Sequence, residues 1–434
     1  MNYKKITNAL ELTSKACAVM TAPAIVLSTA ATVVLFPLTI ALNLAAGNLR
    51  EKFNLIIRNP VALVFLLFCA LFLFGALYST APWQPDILLT LRKYDKFLFA
   101  VLFFPLFTEE RWRNYAINAF MIAILALLIA SYFKVNLYYW SAGSAQVFNP
   151  GIMFDFLISF GASGGSHDGS TWIIEIFKPS IEFNFLMSFA AYLCLFKITS
   201  IGRYRLMWII FLISIVYTVL FRSIGRSGYF VFGGLMILFF VQKFRWRGLF
   251  LAIIGVALLF GLAFNFSSTF KQRVNAIFSD VKEYHKNDMT SVGLRMTFVK
   301  NSIGLIKKHP IFGAGTGSFA KEYAAIEPTP SVLANNPHNE YAYITVQFGI
   351  LGLVIILLFF GVPIWYSQYL PEEQKYLARG VILGIMLGSL ANSWLLDVTS
   401  GHLYAYFIAL AFAALPDRDG GSRRLKPALP KNAS

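Results

Sequence analysis

Apolar runs recur along most of the chain, broken by short clusters of Lys, Arg, Pro and Gly. A membrane-crossing helix needs about 20 mostly apolar residues. Twelve segments are predicted on that pattern: 17–33, 34–47, 61–79, 86–107, 114–134, 180–196, 206–222, 228–242, 249–265, 342–369, 380–395 and 402–416. Pro37 is the only punctuation between the first two. The 86–107 segment carries Arg92, Lys93, Asp95 and Lys96 near its start, so that end reads as an amphipathic turn at the interface ahead of a short span. Two intervals exceed simple connections. Residues 135–179 are rich in Gly, Ser and aromatics, and residues 266–341 show helical patterning, which predicts a folded segment. There is no internal repeat of the kind that paired transporter halves show. The predicted organisation is nine spans in 1–265, a large loop at 266–341, three spans in 342–416 and a basic tail at 417–434. The class is an all-α polytopic membrane protein.

Composition narrows the class. Of 434 residues 57% are hydrophobic and 13% charged, against roughly a quarter charged in soluble domains, and the mean hydropathy is +0.63. A soluble enzyme, a disordered chain and a fibrous protein are excluded. Cys17, Cys69 and Cys194 lie far apart in apolar runs and define neither a disulfide framework nor a metal site. The N-terminus lacks a short apolar region with a cleavage site, so the first span is expected to be retained.

The net charge of +16 would suggest nucleic acid in a soluble chain; here its distribution sets topology instead. With the N-terminus inside, the inward segments hold 21 Lys and Arg and the short outward loops only four: Lys134, Lys178, Arg222 and Arg226. Cytoplasmic loops carry the excess of cations. Both termini are therefore expected in the cytoplasm, and no nucleic-acid partner is expected.

Three outward features carry candidate chemistry. Arg222-Ser-Ile-Gly225-Arg226-Ser-Gly228 is a tight turn between spans, on the side where short loops avoid cations; its glycines would let backbone amides approach a ligand. Ser291-Val-Gly293-Leu-Arg295 opens an amphipathic helix that leads into His309-Pro310-Ile-Phe-Gly313-Ala-Gly315-Thr-Gly317-Ser318-Phe319. That glycine cluster reads as a close-packing turn, because a phosphate loop would normally add a following Lys. Asn335-Asn336-Pro337-His338-Asn339-Glu340 precedes a span. A helix N-terminus explains its asparagines and proline but not His338, which at a membrane surface beside cations suits a proton acceptor.

In this order the motifs resemble the O-antigen ligase and polymerase superfamily of bacterial membrane glycosyltransferases, over roughly residues 215–402. The single His338-Asn339-Glu340, the Arg226 turn and Gly293-Leu-Arg295 look most like the ligases. The resemblance implies a GT-C-like fold in the Gram-negative inner membrane with a periplasmic active site. It places the essential histidine on His338 and the essential arginines on Arg226 and Arg295. Arg222, Asn339, Glu340 and Asp397 are secondary candidates. The 135–179 loop departs from the family, so no donor contact is carried onto it.

The resemblance further implies an undecaprenyl-diphosphate-linked O-antigen as donor and the lipid A–core oligosaccharide as acceptor. Charge developing on the leaving diphosphate suits arginine's planar fork, and the acceptor hydroxyl needs a base. A displacement with inversion is expected, with no metal or other cofactor. An O-antigen polymerase and a protein O-oligosaccharyltransferase remain open as near alternatives. A lipid-linked sugar transporter is the alternative of another class, although transporters place ionisable groups within their spans.

Overall fold

A computed structural model describes residues 3–143, 178–199, 202–284, 289–327 and 334–415. Most of the predicted 135–179 loop and the 417–434 tail lie outside the described residues. The described residues are helical and contain no β-strand. In chain order the helices are α1 (Tyr3–Leu27), α2 (Thr29–Ala45), α3 (Leu49–Arg58), α4 (Pro60–Leu77), α5 (Leu88–Val101), α6 (Glu110–Gly143), α7 (Ser180–Thr199) and α8 (Arg205–Tyr217). They continue with α9 (Arg226–Phe266), α10 (Ser268–Lys282), α11 (Ser291–Lys308), α12 (Phe319–Ala324), α13 (Glu340–Tyr366), α14 (Glu372–Gly388) and α15 (Val398–Phe412). Among the described residues seven helical stretches are long and apolar enough to cross a membrane: Lys4–Leu27, Pro60–Leu77, Glu110–Tyr132, Ser180–Thr199, Arg205–Arg222, Arg226–Phe266 and Glu340–Tyr369. The chain is a polytopic helical membrane protein.

The first break falls at Ser28, not at Pro37, which lies inside α2. The Ser28 hydroxyl accepts the amide of Ala31 at 3.2 Å and so starts the new helix, as Ser does at N-caps. The described residues between 266 and 341 include the helices α10, α11 and α12.

The helices form two compact units. One comprises residues 1–18, 36–114 and 277–434; the other comprises 19–35 and 115–276. The first is built on an aromatic core from α4, α5, α13 and α15. Phe68 stacks on Phe359 at 4.3 Å between centroids, Phe72 on Tyr94 at 4.1 Å and Phe65 on Tyr404 at 5.9 Å. Such pairs add about 0.5–1.5 kcal/mol beyond area burial. Helix α15 is buried from Thr399 to Phe412, which is why its apolar residues run all round it instead of along one stripe. Lys96 is also buried, at 2% exposure. It was expected in an interfacial turn; its Nζ instead donates to the carbonyls of Leu396 at 3.1 Å and Asp397 at 2.6 Å, which offsets the cost of desolvating the ammonium.

In the second unit α7 is the enclosed element, buried from Phe183 to Cys194. Helix α9 breaks at Arg245 (φ 57°, ψ −141°) and folds back as a hairpin. Phe232 on the first arm faces Phe260 on the second at 6.5 Å. The second arm leaves Phe250, Ile254, Leu258 and Leu262 more than half exposed, an apolar surface suited to lipid.

Candidate active site

The site in the first unit begins with a broken helix. Within α13, Gly349 takes φ 61°, so the amides of Ile350 and Leu351 lose their usual acceptors, the carbonyls of Val346 and Gln347. The segment after α11 meets all four orphaned groups. Ile350 and Leu351 donate to the carbonyls of Pro310 and Ile311 at 2.8 and 3.3 Å. Ala314 and Gly315 donate to the carbonyls of Val346 and Gln347 at 3.2 and 2.8 Å. Irregular backbone at membrane depth requires this kind of internal satisfaction.

Gly313, Gly315 and Gly317 all have positive φ, which glycine adopts without steric cost. They let the turn press against α13, the end of α4 and Asp86. Thr316 donates its amide to the carbonyl of Gly75 at 3.2 Å and its hydroxyl to that of Phe72 at 2.6 Å. The Gly317 amide goes to Gln347 Oε1 at 2.6 Å. The amides of this turn are committed to the protein, and the glycine cluster is a packing device, not a phosphate cradle.

On this frame two segments pair antiparallel, 336–340 against 389–396. Asn339 caps α13 by accepting the amide of Ala342 at 2.9 Å and donates to the carbonyl of Leu390 at 3.0 Å. The Glu340 amide donates to the carbonyl of Ser389 at 2.9 Å. The Glu340 carboxylate is fully buried and accepts the Tyr94 hydroxyl and the amides of Leu395 and Leu396 at 3.0 and 3.4 Å. Its place is a clamp on the 389–396 loop. Ser393 donates to Asn336 Oδ1 at 3.3 Å, and that oxygen also accepts the His338 amide at 3.0 Å.

His338 stands at φ 49°, a left-handed conformation that costs a non-glycine residue of order 1–3 kcal/mol and persists only where its surroundings impose it. Its Nδ1 lies 2.8 Å from Asn392 Oδ1, and Asn392 Nδ2 donates to Asp397 Oδ2 at 3.3 Å. The ring stacks on Phe298 of α11 at 5.9 Å and 29°. Arg295 lies one helical turn before Phe298 and on the same face. Burial lowers the His338 pKa below its ordinary value near 6.5; the hydrogen bond to Asn392 opposes this and the charge of Arg295 reinforces it. The imidazole is thereby held towards its neutral, proton-accepting form. Helix α11 starts where Thr290 accepts the Gly293 amide at 3.1 Å. That cap sets the register of Arg295 and Phe298.

The structure therefore brings His338, Arg295, Asn339, Glu340 and Asp397 into one unit. Arg222 and Arg226 belong to the other. There the Arg222 guanidinium lies 4.1 Å over the Tyr132 ring and donates to the carbonyl of Ser131 at 3.2 Å, tying the turn to α6. Arg226 opens α9 and is half-exposed. Gly225 and Gly228 serve the protein and not a ligand's approach: Asn184 of α7 packs against both and donates to the carbonyl of Gly225 at 2.9 Å. The residue that sequence reasoning missed is Asn392. An asparagine inside the apolar 380–395 segment was its only signal, and placing a span there hid it; α14 ends at Gly388.

Residues 209–357 match the sequence profile of a family described as O-antigen ligase. An uncharacterized protein of Haemophilus influenzae is 29% identical over 140 residues, which is 30% of this chain and 35% of that protein; the chain thus spans about a third of that relative's length. The family match takes in the Arg226 turn, Arg295, the three-glycine turn and His338 with its capped helix. Over those residues, about a third of the chain, the protein is similar to the O-antigen ligase family.

Proposed function

We propose that the protein is an O-antigen ligase that transfers glycan from undecaprenyl diphosphate to the lipid A–core oligosaccharide at the periplasmic face of the Gram-negative inner membrane. The carrying observation is the setting of His338: one ring nitrogen is tied to Asn392, an apolar ring lies against its face, and a cation disfavours its protonated form. In this reading His338 takes the proton from the acceptor hydroxyl. The hydroxyl oxygen forms the new bond to the anomeric carbon, and the bond to the diphosphate breaks with its electron pair leaving on the phosphate oxygen. The configuration inverts. Arg295 binds the diphosphate as its charge grows, and arginine's fork suits two phosphate oxygens at once; for Arg226 the same role rests on the sequence resemblance alone. The displacement needs no metal.

The proposal carries twelve spans with both termini cytoplasmic and a GT-C-like arrangement. The seven long apolar stretches, among them the 41-residue α9 with its break at Arg245, and the shorter apolar helices α2 and α15 support this reading; α5 and α14 complete the twelve as part of the proposal. Residues 266–341 are, in this reading, the large periplasmic loop that carries Arg295 and His338.

Reconstitution with lipid-linked glycan and lipid A–core tests the assignment. The expected product is lipid A–core that has gained the glycan's mass. Lengthened lipid-linked glycan would make the protein a polymerase, and glycan on protein hydroxyls a protein oligosaccharyltransferase. Movement of lipid-linked glycan across the bilayer without transfer would make it a transporter. Activity lost in EDTA and restored by Mg²⁺ or Mn²⁺ would overturn the metal-free step.

A further inference from the structure

The Asn392 amide sits between two groups that together decide which way round it lies. Its Nδ2 faces Asp397 Oδ2 at 3.3 Å, and its Oδ1 faces His338 Nδ1 at 2.8 Å. An ionised carboxylate has only acceptors. Turning the amide over would set its oxygen against the carboxylate oxygen, two acceptors in contact. The other side of the amide is then an oxygen, which also only accepts. A neutral imidazole carries one N–H, so the nitrogen facing that oxygen has to be the one that carries it.

We propose that Asn392, oriented by Asp397, is a positioning residue that holds His338 as the Nδ1–H tautomer and leaves the lone pair on Nε2. Nε2 has no protein partner among the described residues and is the nitrogen presented to a ligand. The backbone supports this arrangement. The Asn392 amide donates to the carbonyl of Gly388 at 3.0 Å, which fixes it at the end of α14, and the Asp397 amide donates to the carbonyl of Ser393 at 3.2 Å, closing the loop between them. Ser393, Asn339 and Glu340 hold the same loop against the 336–340 segment. When Nε2 takes a proton, the second N–H of the imidazolium still points at Asn392 Oδ1, so the charged form keeps its hydrogen bond and no group has to move. A tautomer set wrongly can cost about 10⁴-fold in rate, because the lone pair then points away from the substrate.

This inference rests on the reading of His338 as the base, and the test separates the two. The whole protein, labelled with ¹⁵N at histidine and held in lipid, is measured by NMR above the histidine pKa. The His338 signals are identified as those missing from the His338→Asn protein. The expected wild-type spectrum shows protonated Nδ1 and bare Nε2. In Asn392→Leu the spectrum should move to the Nε2–H tautomer or a mixture. Transfer by that variant should fall at least 10-fold in kcat, with KM within about 2-fold of wild type. Asn392→Asp, which keeps an acceptor at Nδ1, should restore the Nδ1–H signal. A wild-type His338 with its proton on Nε2, or an Asn392→Leu spectrum identical to wild type, overturns the assignment whatever the activity. Full transfer by His338→Ala would instead remove the histidine from the chemistry, and the spectra would still report the tautomer.

Discussion

Glu340 offers a sharp test because the structure turns a sequence-level site candidate into a clamp. Its buried carboxylate accepts three donors: the Tyr94 hydroxyl and the amides of Leu395 and Leu396. In Glu340→Ala all three lose their acceptor where water has little access. An orphaned buried donor costs about 1–3 kcal/mol, so the gross loss is about 3–9 kcal/mol. Relief from burying the carboxylate itself offsets several kcal/mol of this. A net loss of about 3 kcal/mol would shift the equilibrium between docked and undocked 389–396 loop by about 100-fold. Because that loop carries Asn392, transfer should fall with it although His338 is intact. Glu340→Gln keeps one acceptor oxygen and sets an NH₂ against a donor, so a loss of about 1–2 kcal/mol is expected. The assay is thermal unfolding in lipid nanodiscs alongside the transfer rate, for both variants. Stability and rate should fall together and in the order Ala below Gln. Abolished transfer in Glu340→Gln with unchanged unfolding would refute the clamp and make the carboxylate a participant in the chemistry.

Three further outcomes follow from the same geometry. His338 accepts a proton only when neutral, which is above its pKa, and burial lowers that pKa. The acidic limb of the kcat/KM–pH profile should lie below 6.5, and a limb at or above 6.5 would contradict the assigned base. Arg226→Lys keeps a charge but loses the fork, so the diphosphate reading expects a KM or kcat defect with normal protein levels; Arg222→Lys should lower stability instead, since Arg222 is stacked on Tyr132. Gly315 has φ 92°, and an added Cβ would overlap the backbone of Ser79. Gly315→Ala should therefore cost at least 2 kcal/mol, read as lost folded yield, whereas Gly304→Ala, in open space within α11, should be neutral or stabilising by about 0.4–1 kcal/mol.

How much of this was legible before folding depends on the range of the interaction. Bilayer residence follows from the apolar runs alone, because lipid rewards hydrophobic length whatever the neighbours. The helix starts at Thr290 and Asn339 are local, since cap and capped amide lie three residues apart. His338 and Arg295 were singled out by the order of motifs that resembles the O-antigen ligase and polymerase superfamily, since alone each also fits a helix start or a solvated face. The sequence by itself therefore determined the class of the protein, most of its apolar segments and the residue types available for chemistry. Tertiary structure decided the rest. The break at Gly349 is tolerable only because a segment some 35 residues earlier supplies matching donors and acceptors. Glu340 became a clamp through Tyr94, 246 residues away. Asn392 became the partner of His338 across 54 residues. In each case the sequence carried the hydrogen-bonding group, and its role depended on which distant donor or acceptor the folded chain set against it.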